Sequence, residues 1–438
     1  MSEETALLSS RDHDEYGTRT KPDAPFNTRV RSIVWGVLTL LTTAVLVVML
    51  FFLDDLPDSL KSWAGGEPSD PMFAALSILD KSPIIDGHID LPILARYRYA
   101  NNVSSIDLNS GMPAQVDIER LRKGKVGGFF WSVYVSCADP DAEGEEFLNA
   151  TWRVRDTLEQ IDVSKLLIEK YPDTFQLALG TTDIKSAISH GKIASLLGVE
   201  GAHQLGNSIA VLRQYYALGV RYVTLTHSCH NAFADSCGIA PGKEPLHNGL
   251  TPLGLSLIDE MNRLGVLVDL SHTSDATAIQ ALKYSKAPVI WSHSSARTVH
   301  DVPRNVPDEV LKQITDLGKD AVVMVNFAPY FVAPDGLANV SAVANHVEHI
   351  GKIYCDFDGI GEVPTGLEDV SKYPALIAEL YSRGWTKYEL AGLTGGNLLR
   401  VFEGAEKVSK NLKAAGAQPV YDLYDKRTDI PRGGWNEL

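Results

Sequence analysis

From about Met72 onward the chain alternates short apolar runs with longer amphipathic segments. Runs at 84–87, 128–135, 195–199, 222–225, 266–270, 289–291 and 322–326 are dense in Val, Ile, Leu and aromatic residues. Such continuous apolarity suits strands buried on both faces. Between them, 209–218, 254–264, 275–284 and 307–316 carry apolar residues at helical spacing. Strand then helix, repeated, predicts right-handed βαβ units around a parallel sheet. Seven or eight such repeats in this length predict an α/β fold, a (β/α)8 TIM-like barrel over residues 72–417. Neither G-x-G-x-x-G nor G-x-x-x-x-G-K occurs, so a nucleotide-binding fold has no support.

The first seventy residues follow another pattern. Residues 33–53 form an unbroken stretch without a charge. As a helix it would span about 31 Å, the thickness of a bilayer core. Trp35 sits near one end, Arg29 and Arg31 precede the stretch, and Asp54, Asp55 and Asp58 follow it. That charge bias places the N-terminus in the cytoplasm. The pattern predicts a single-pass, type II signal anchor at 31–53. Residues 1–30 then form a disordered cytoplasmic tail, 54–71 a stalk, and the remainder lies outside the cell or in a lumen. A cleaved signal peptide fits less well, because its apolar core is usually shorter and its leader is not thirty residues long. A buried core helix would need a polar face that this stretch lacks.

Composition changes this picture little. Hydrophobic residues make up 45% and charged residues 22%, as in ordinary globular proteins. The net charge of -15 argues against a nucleic-acid partner, since nothing would neutralise phosphates as a block. N-glycosylation sequons at Asn102, Asn149 and Asn339 agree with an exterior location. The cysteines are Cys137, Cys229, Cys237 and Cys355. An exterior compartment permits disulfides, but four cysteines allow three pairings and the residues alone do not choose. A C-terminal extension, 418–438, holds Tyr421, Tyr424 and Trp435.

The candidate chemistry lies where the apolar runs stop. The first run ends in Asp86-Gly87-His88-Ile89-Asp90. Side chains two apart on a strand share a face, so His88 and Asp90 can reach one point. Other runs end in Glu200, in His227, in Ser271-His272 and in His293. In a barrel all these ends face one mouth. Imidazole and carboxylate are suitable ligands for a borderline metal such as zinc. Five ligands, His88, Asp90, Glu200, His272 and His293, are about the number that two metals sharing a bridging carboxylate need. Glu200 is the natural bridge, because a carboxylate has two oxygens. The spacing indicates a metal-dependent hydrolase and leaves the substrate open.

These residues stand in longer stretches: 85–92, 198–203, 225–229, 268–272, 292–296, Arg304-Asn305-Val306-Pro307-Asp308, 323–327 and Asp356-Phe357-Asp358-Gly359. In this order, over roughly Ile84 to Ala405, the chain resembles the membrane (renal) dipeptidases, binuclear zinc enzymes with an amidohydrolase-like barrel. The resemblance implies two zinc ions, one on His88 and Asp90, the other on His272 and His293, bridged by Glu200. It implies that His227 steadies the oxyanion of the tetrahedral intermediate and that Arg304 grips the free C-terminal carboxylate of a dipeptide. It further implies that Asp356 moves a proton from the attacking, metal-bridging hydroxide to the leaving nitrogen. It implies substrates of L-L and L-D type, cysteinylglycine among them, and a Cys137–Cys229 disulfide. Cys237 and Cys355 have no counterpart in that pairing, and homodimer formation stays open.

One feature departs from that pattern. After a helical segment near 340–350, only Gly351 to Cys355 precede Asp356. A loop plus a strand needs roughly eight residues or more, so the expectation is a truncated eighth strand. That leaves two alternatives beside the dipeptidase reading: a binuclear amidohydrolase acting on another amide or ester, and a catalytically impaired homologue.

Overall fold

The computed structural model describes residues 28–52, 58, 68–137, 153–237, 244–351 and 363–426. The chain divides into two compact units, Met1–Ser69 and Asp70–Leu438. The first contains the helix Thr28–Phe52. Its described side chains are exposed along the whole length from Arg29 to Val47, a span of mean hydropathy 1.9 that is long and apolar enough to cross a membrane. Thr39, Thr42 and Thr43 donate their hydroxyls back to carbonyls one turn earlier. That pairing hides polar hydrogens in an otherwise apolar helix. A signal sequence near an N-terminus has the same length and composition.

The second unit is built on a parallel sheet. Its strands are β1 (Ile84–Ile89), β2 (Val126–Val133), β3 (Phe175–Leu177), β4 (Ile193–Val199), β5 (Val220–Thr224), β6 (Leu267–Asp269), β7 (Val289–Trp291) and β8 (Ala321–Val323). The order is β1-β2-β4-β5-β6-β7-β8, with β3 paired to β4 off this path. All seven predicted runs are strands. The addition is β3, three residues long with two of them half-buried, too short and mixed to stand out as an apolar run.

Alternation along the strands sorts the side chains into two apolar layers. Ile84, Phe129, Trp131, Leu197, Val268 and Trp291 join the larger layer, under the surrounding helices. Ile85, Phe130, Leu196, Tyr222, Leu267, Ile290 and Val322 gather in the other. Leu398, Val401 and Phe402 of the helix Asn397–Ala414 pack into that inner cluster. A Cβ on Gly404 of this helix would press on Pro288, just before β7, so the helix plugs the end where the strands begin. The sheet curls until β1 meets the residues after β8, for a Cβ on Gly87 would collide with Met324. This is the barrel-like α/β architecture that the pattern predicts.

The helices Ile209–Leu218, Pro252–Leu264, Asp275–Tyr284 and Asp308–Asp316 coincide with the four predicted segments. Thr251 and Ser274 cap two of them by accepting from the backbone of Gly254 and Thr277. Gly219 (φ 116°) ends the first in a left-handed turn that leads straight into β5, a conformation open to glycine at little steric cost. The expected truncation of the eighth strand falls within 352–362, outside the described residues.

Candidate active site

His88 lies in β1 and Asp90 follows it; Glu200 follows β4, His227 follows β5, His272 follows β6 and His293 follows β7. All stand at the C-terminal ends of the strands, opposite the plug. Glu200, nearly fully buried, is at the centre. Its Oε1 lies 3.0 Å from His272 Nε2, 3.1 Å from His293 Nε2 and 3.5 Å from His227 Nε2. Its Oε2 lies 3.6 Å from His88 Nε2, which is 3.5 Å from Asp90 Oδ1. The Nε2 atoms of His272 and His293 are 2.9 Å apart.

Two sets of donor atoms, each within 4.8 Å of one another, could hold a metal ion: His88, Glu200 and His293, and Glu200, His227 and His272. They share Glu200. The geometry groups His293 with His88, whereas the resemblance pairs it with His272; its Nε2 reaches toward both. A third set, Cys137, His203 and Cys229, is disqualified because its two sulfurs are bonded to each other.

The electrostatics fit a cation. Burial drives the His227, His272 and His293 imidazoles well below their usual range, with Arg304 adding to the effect. Burial likewise pushes Glu200 up to about 8. Burial also disfavours the charged form of His88, but Glu200 and Asp90 outweigh it and hold it up at about 9. Three neutral imidazoles, His227, His272 and His293, thus converge on the Glu200 carboxyl, while His88 and Glu200 favour their protonated forms. Asp90 Oδ1 is buried without a hydrogen-bond partner among the described residues. A divalent metal bound here would take the place of the protons on His88 and Glu200, since metal ligands bind in their deprotonated form.

Several residues that the sequence did not single out shape this cluster. A Cβ on Gly198 would collide with the Tyr222 ring, so glycine in β4 makes room for that ring. The Tyr222 hydroxyl is then 3.0 Å from His88 Nδ1, leaving Nε2 directed at Glu200. Buried Asp269 ties β5, β6 and β7 together through Thr224, Ser271 and Ser292. His272 has φ 62°, an unfavourable value for a residue with a side chain. Its carbonyl accepts from Thr226 Oγ1, Ser236 Oγ and Cys237 N, which pins the strained backbone. The Tyr134 ring packs against that of His227, tilted by 45° with centroids 4.5 Å apart.

Arg304 is buried beside the cluster. It donates Nη1 to Ser294 Oγ (2.8 Å) and Nη2 to the His293 carbonyl (2.7 Å), while its Nε has no partner among the described residues. Cys137 and Cys229 form a disulfide, as the resemblance implies, tying the segment after β2 to the segment carrying His227. Cys237 is free. His203 is buried, with Nε2 on the Val135 carbonyl, and His230 lies 3.1 Å from Asp235; neither joins the cluster. Asn102 and Asn339 are exposed. Asp356, Asn149 and Cys355 lie outside the described residues.

Known proteins match this arrangement. The profile of the membrane dipeptidases (peptidase family M19) matches residues 72–416. The dipeptidase verJ of Clonostachys rogersoniana is 41% identical over 369 residues, 82% of this chain and 94% of that protein. A dipeptidase of Schizosaccharomyces pombe, itself uncharacterised, is 45% identical over 348 residues, 76% of this chain and 84% of that protein. The crystal structure of dipeptidase AC, a metallopeptidase of the same family, is 25% identical, has a TM-score of 0.65 and covers 74% of this chain and 98% of its own. The chain belongs to the membrane dipeptidase family of metallopeptidase hydrolases.

Proposed function

We propose that this protein is a membrane-anchored, zinc-dependent dipeptidase that cleaves dipeptides with a free C-terminal carboxylate. The observation that carries this reading is one buried carboxylate, Glu200, ringed by four imidazoles and Asp90, with a buried guanidinium alongside. His88, Asp90, His272 and His293 would hold two zinc ions, with Glu200 shared between them. Zinc there supplies water acidified toward neutrality and polarises a carbonyl oxygen.

The chain's own residues do the rest. Arg304 already spends two donors on Ser294 and His293, which fixes the guanidinium plane. Its unpaired Nε–H remains for an anion, and a planar fork suits a carboxylate. A substrate held there by its C-terminal carboxylate would present only its last residue beyond the scissile bond, which would make a dipeptidase rather than an endopeptidase. His227, half-buried and neutral, would face the scissile carbonyl and donate to the developing oxyanion. Asp356 would carry the proton to the leaving amine. Grip by the carboxylate rather than by the C-terminal side chain accommodates L-L and L-D dipeptides, including those of the cysteinylglycine kind. The helix Thr28–Phe52 would anchor the enzyme with its catalytic unit outside the cell or in a lumen, where Asn102 and Asn339 are accessible to glycosylation.

The test is hydrolysis of a glycyl dipeptide by the full chain, before and after stripping with a chelator. Hydrolysis that is lost on stripping and returns with zinc is expected. Metal-loaded protein that leaves the dipeptide intact overturns the reading.

A further inference from the structure

We propose that Asp269, acting through Ser292, is a positioning residue that holds His293 in the tautomer whose Nε2 is bare. The inference rests on the metal-site reading above and adds a residue pair to it. Asp269 is fully buried at the end of β6 and meets four donors. Its Oδ1 accepts from Ser271 N (3.1 Å) and Ser292 N (2.8 Å). Its Oδ2 accepts from Thr224 Oγ1 (2.5 Å) and Ser292 Oγ (2.6 Å).

Proton counting then decides the imidazole. A serine hydroxyl has one hydrogen. Ser292 gives it to Asp269, because an oxygen–oxygen contact of 2.6 Å without a shared hydrogen would set two acceptors against each other. Ser292 Oγ is also 2.8 Å from His293 Nδ1. Having no second hydrogen, it must accept there, so Nδ1 carries the proton. The ring's other nitrogen is the one that faces Glu200 Oε1 at 3.1 Å and His272 Nε2 at 2.9 Å. In a neutral imidazole that nitrogen is bare, which is the form a metal ligand needs. The serine follows β7 directly, its peptide N–H is held by the same carboxylate, and His293 N donates to Ser271 Oγ (3.0 Å). The ring therefore has a fixed origin as well as a fixed tautomer. Among the described residues no charged relay partner of this kind reaches His272, whose buried Nδ1 has no partner among them.

The experiment compares the full chain in detergent with Ser292→Ala and Thr224→Val, measuring zinc affinity by competition with a chromophoric chelator. Thr224→Val removes a hydrogen bond from the same carboxylate oxygen but leaves the contact to His293. Ser292→Ala is expected to lose about 10–100-fold in affinity at one zinc, and Thr224→Val to stay within about threefold. Ser292→Ala within threefold of wild type, or Thr224→Val losing as much as Ser292→Ala, overturns the relay. Nitrogen-15 spectra of zinc-stripped, histidine-labelled wild type give a second reading that needs neither variant to fold nor zinc to bind. A proton on His293 Nδ1 supports the relay, and a proton on Nε2 overturns it. Wild-type protein that takes up no zinc overturns the functional reading instead, and the spectra still decide the tautomer.

Discussion

Replacing Arg304 by Met removes the guanidinium and keeps much of its volume. In the folded protein Arg304 is 5% exposed and has two donors engaged and Nε unpaired. A carboxylate bound there would be a charge pair shielded from water. Truncating one partner of such a pair costs about 2–5 kcal/mol. At room temperature that is roughly a 30- to 5,000-fold loss in kcat/KM. The loss should belong to the carboxylate alone. The assay therefore measures kcat/KM for a glycyl dipeptide and for its C-terminal amide, on wild type and on Arg304→Met, with zinc content determined for each. Zinc content is needed because the substitution also leaves the His293 carbonyl without its Nη2 donor. Wild type should prefer the free acid strongly, and the variant should treat acid and amide nearly alike. A zinc-replete variant that keeps the wild-type preference would refute the assignment of Arg304.

Three further outcomes follow from the packing. Gly198→Ala should push the Tyr222 ring off His88, costing about 1–3 kcal/mol of stability by overpacking and roughly tenfold or more in zinc affinity, read by thermal melting and chelator competition. Replacing Cys137 and Cys229 by Ser opens a link of sequence separation 92 and should cost about 2–5 kcal/mol, with a fall in kcat because the link ends two residues from His227; unchanged melting in reductant would refute this. His346 accepts from Ala296 N and donates to the Val332 carbonyl, and burial lowers it to about 4. Above pH 6.5 it is neutral folded or unfolded, whereas between about 6.5 and 4 only the unfolded chain takes the proton, so stability falls by about 2–4 kcal/mol as pH drops. His346→Gln should flatten that slope by about one proton; identical slopes would contradict it.

The parts of the fold that showed in the sequence are those where one physical demand rules a whole segment. Strands covered on both faces are dominated by apolar residues, so β2, β4, β5, β6 and β7 announce themselves, and the histidines and Glu200 of the site stand where each strand leaves the core. That is why His88, Glu200, His272 and His293 were readable as one set. β3 was not, because two of its three residues are half-buried and carry no such demand. Tyr222 and Gly198 read as ordinary members of their runs, since nothing local shows that one makes space for the other. Asp269 sits inside a motif quoted for its histidine, yet its role depends on β5 and β7, which lie far away in sequence. The left-handed backbone of His272 is invisible for the same reason, being held by Thr226, Ser236 and Cys237 from another loop. The disulfide was legible through family resemblance and not from the four cysteines themselves.

In the proposed site Glu200 would be shared between two zinc ions. Zinc bound per chain, measured in wild type and in Glu200→Gln after exhaustive loading and desalting, tests it most directly. Two zinc ions in wild type and at most one in the variant, with dipeptide hydrolysis lost, is the predicted result. A variant that retains two zinc ions and hydrolyses dipeptides at the wild-type rate would contradict it.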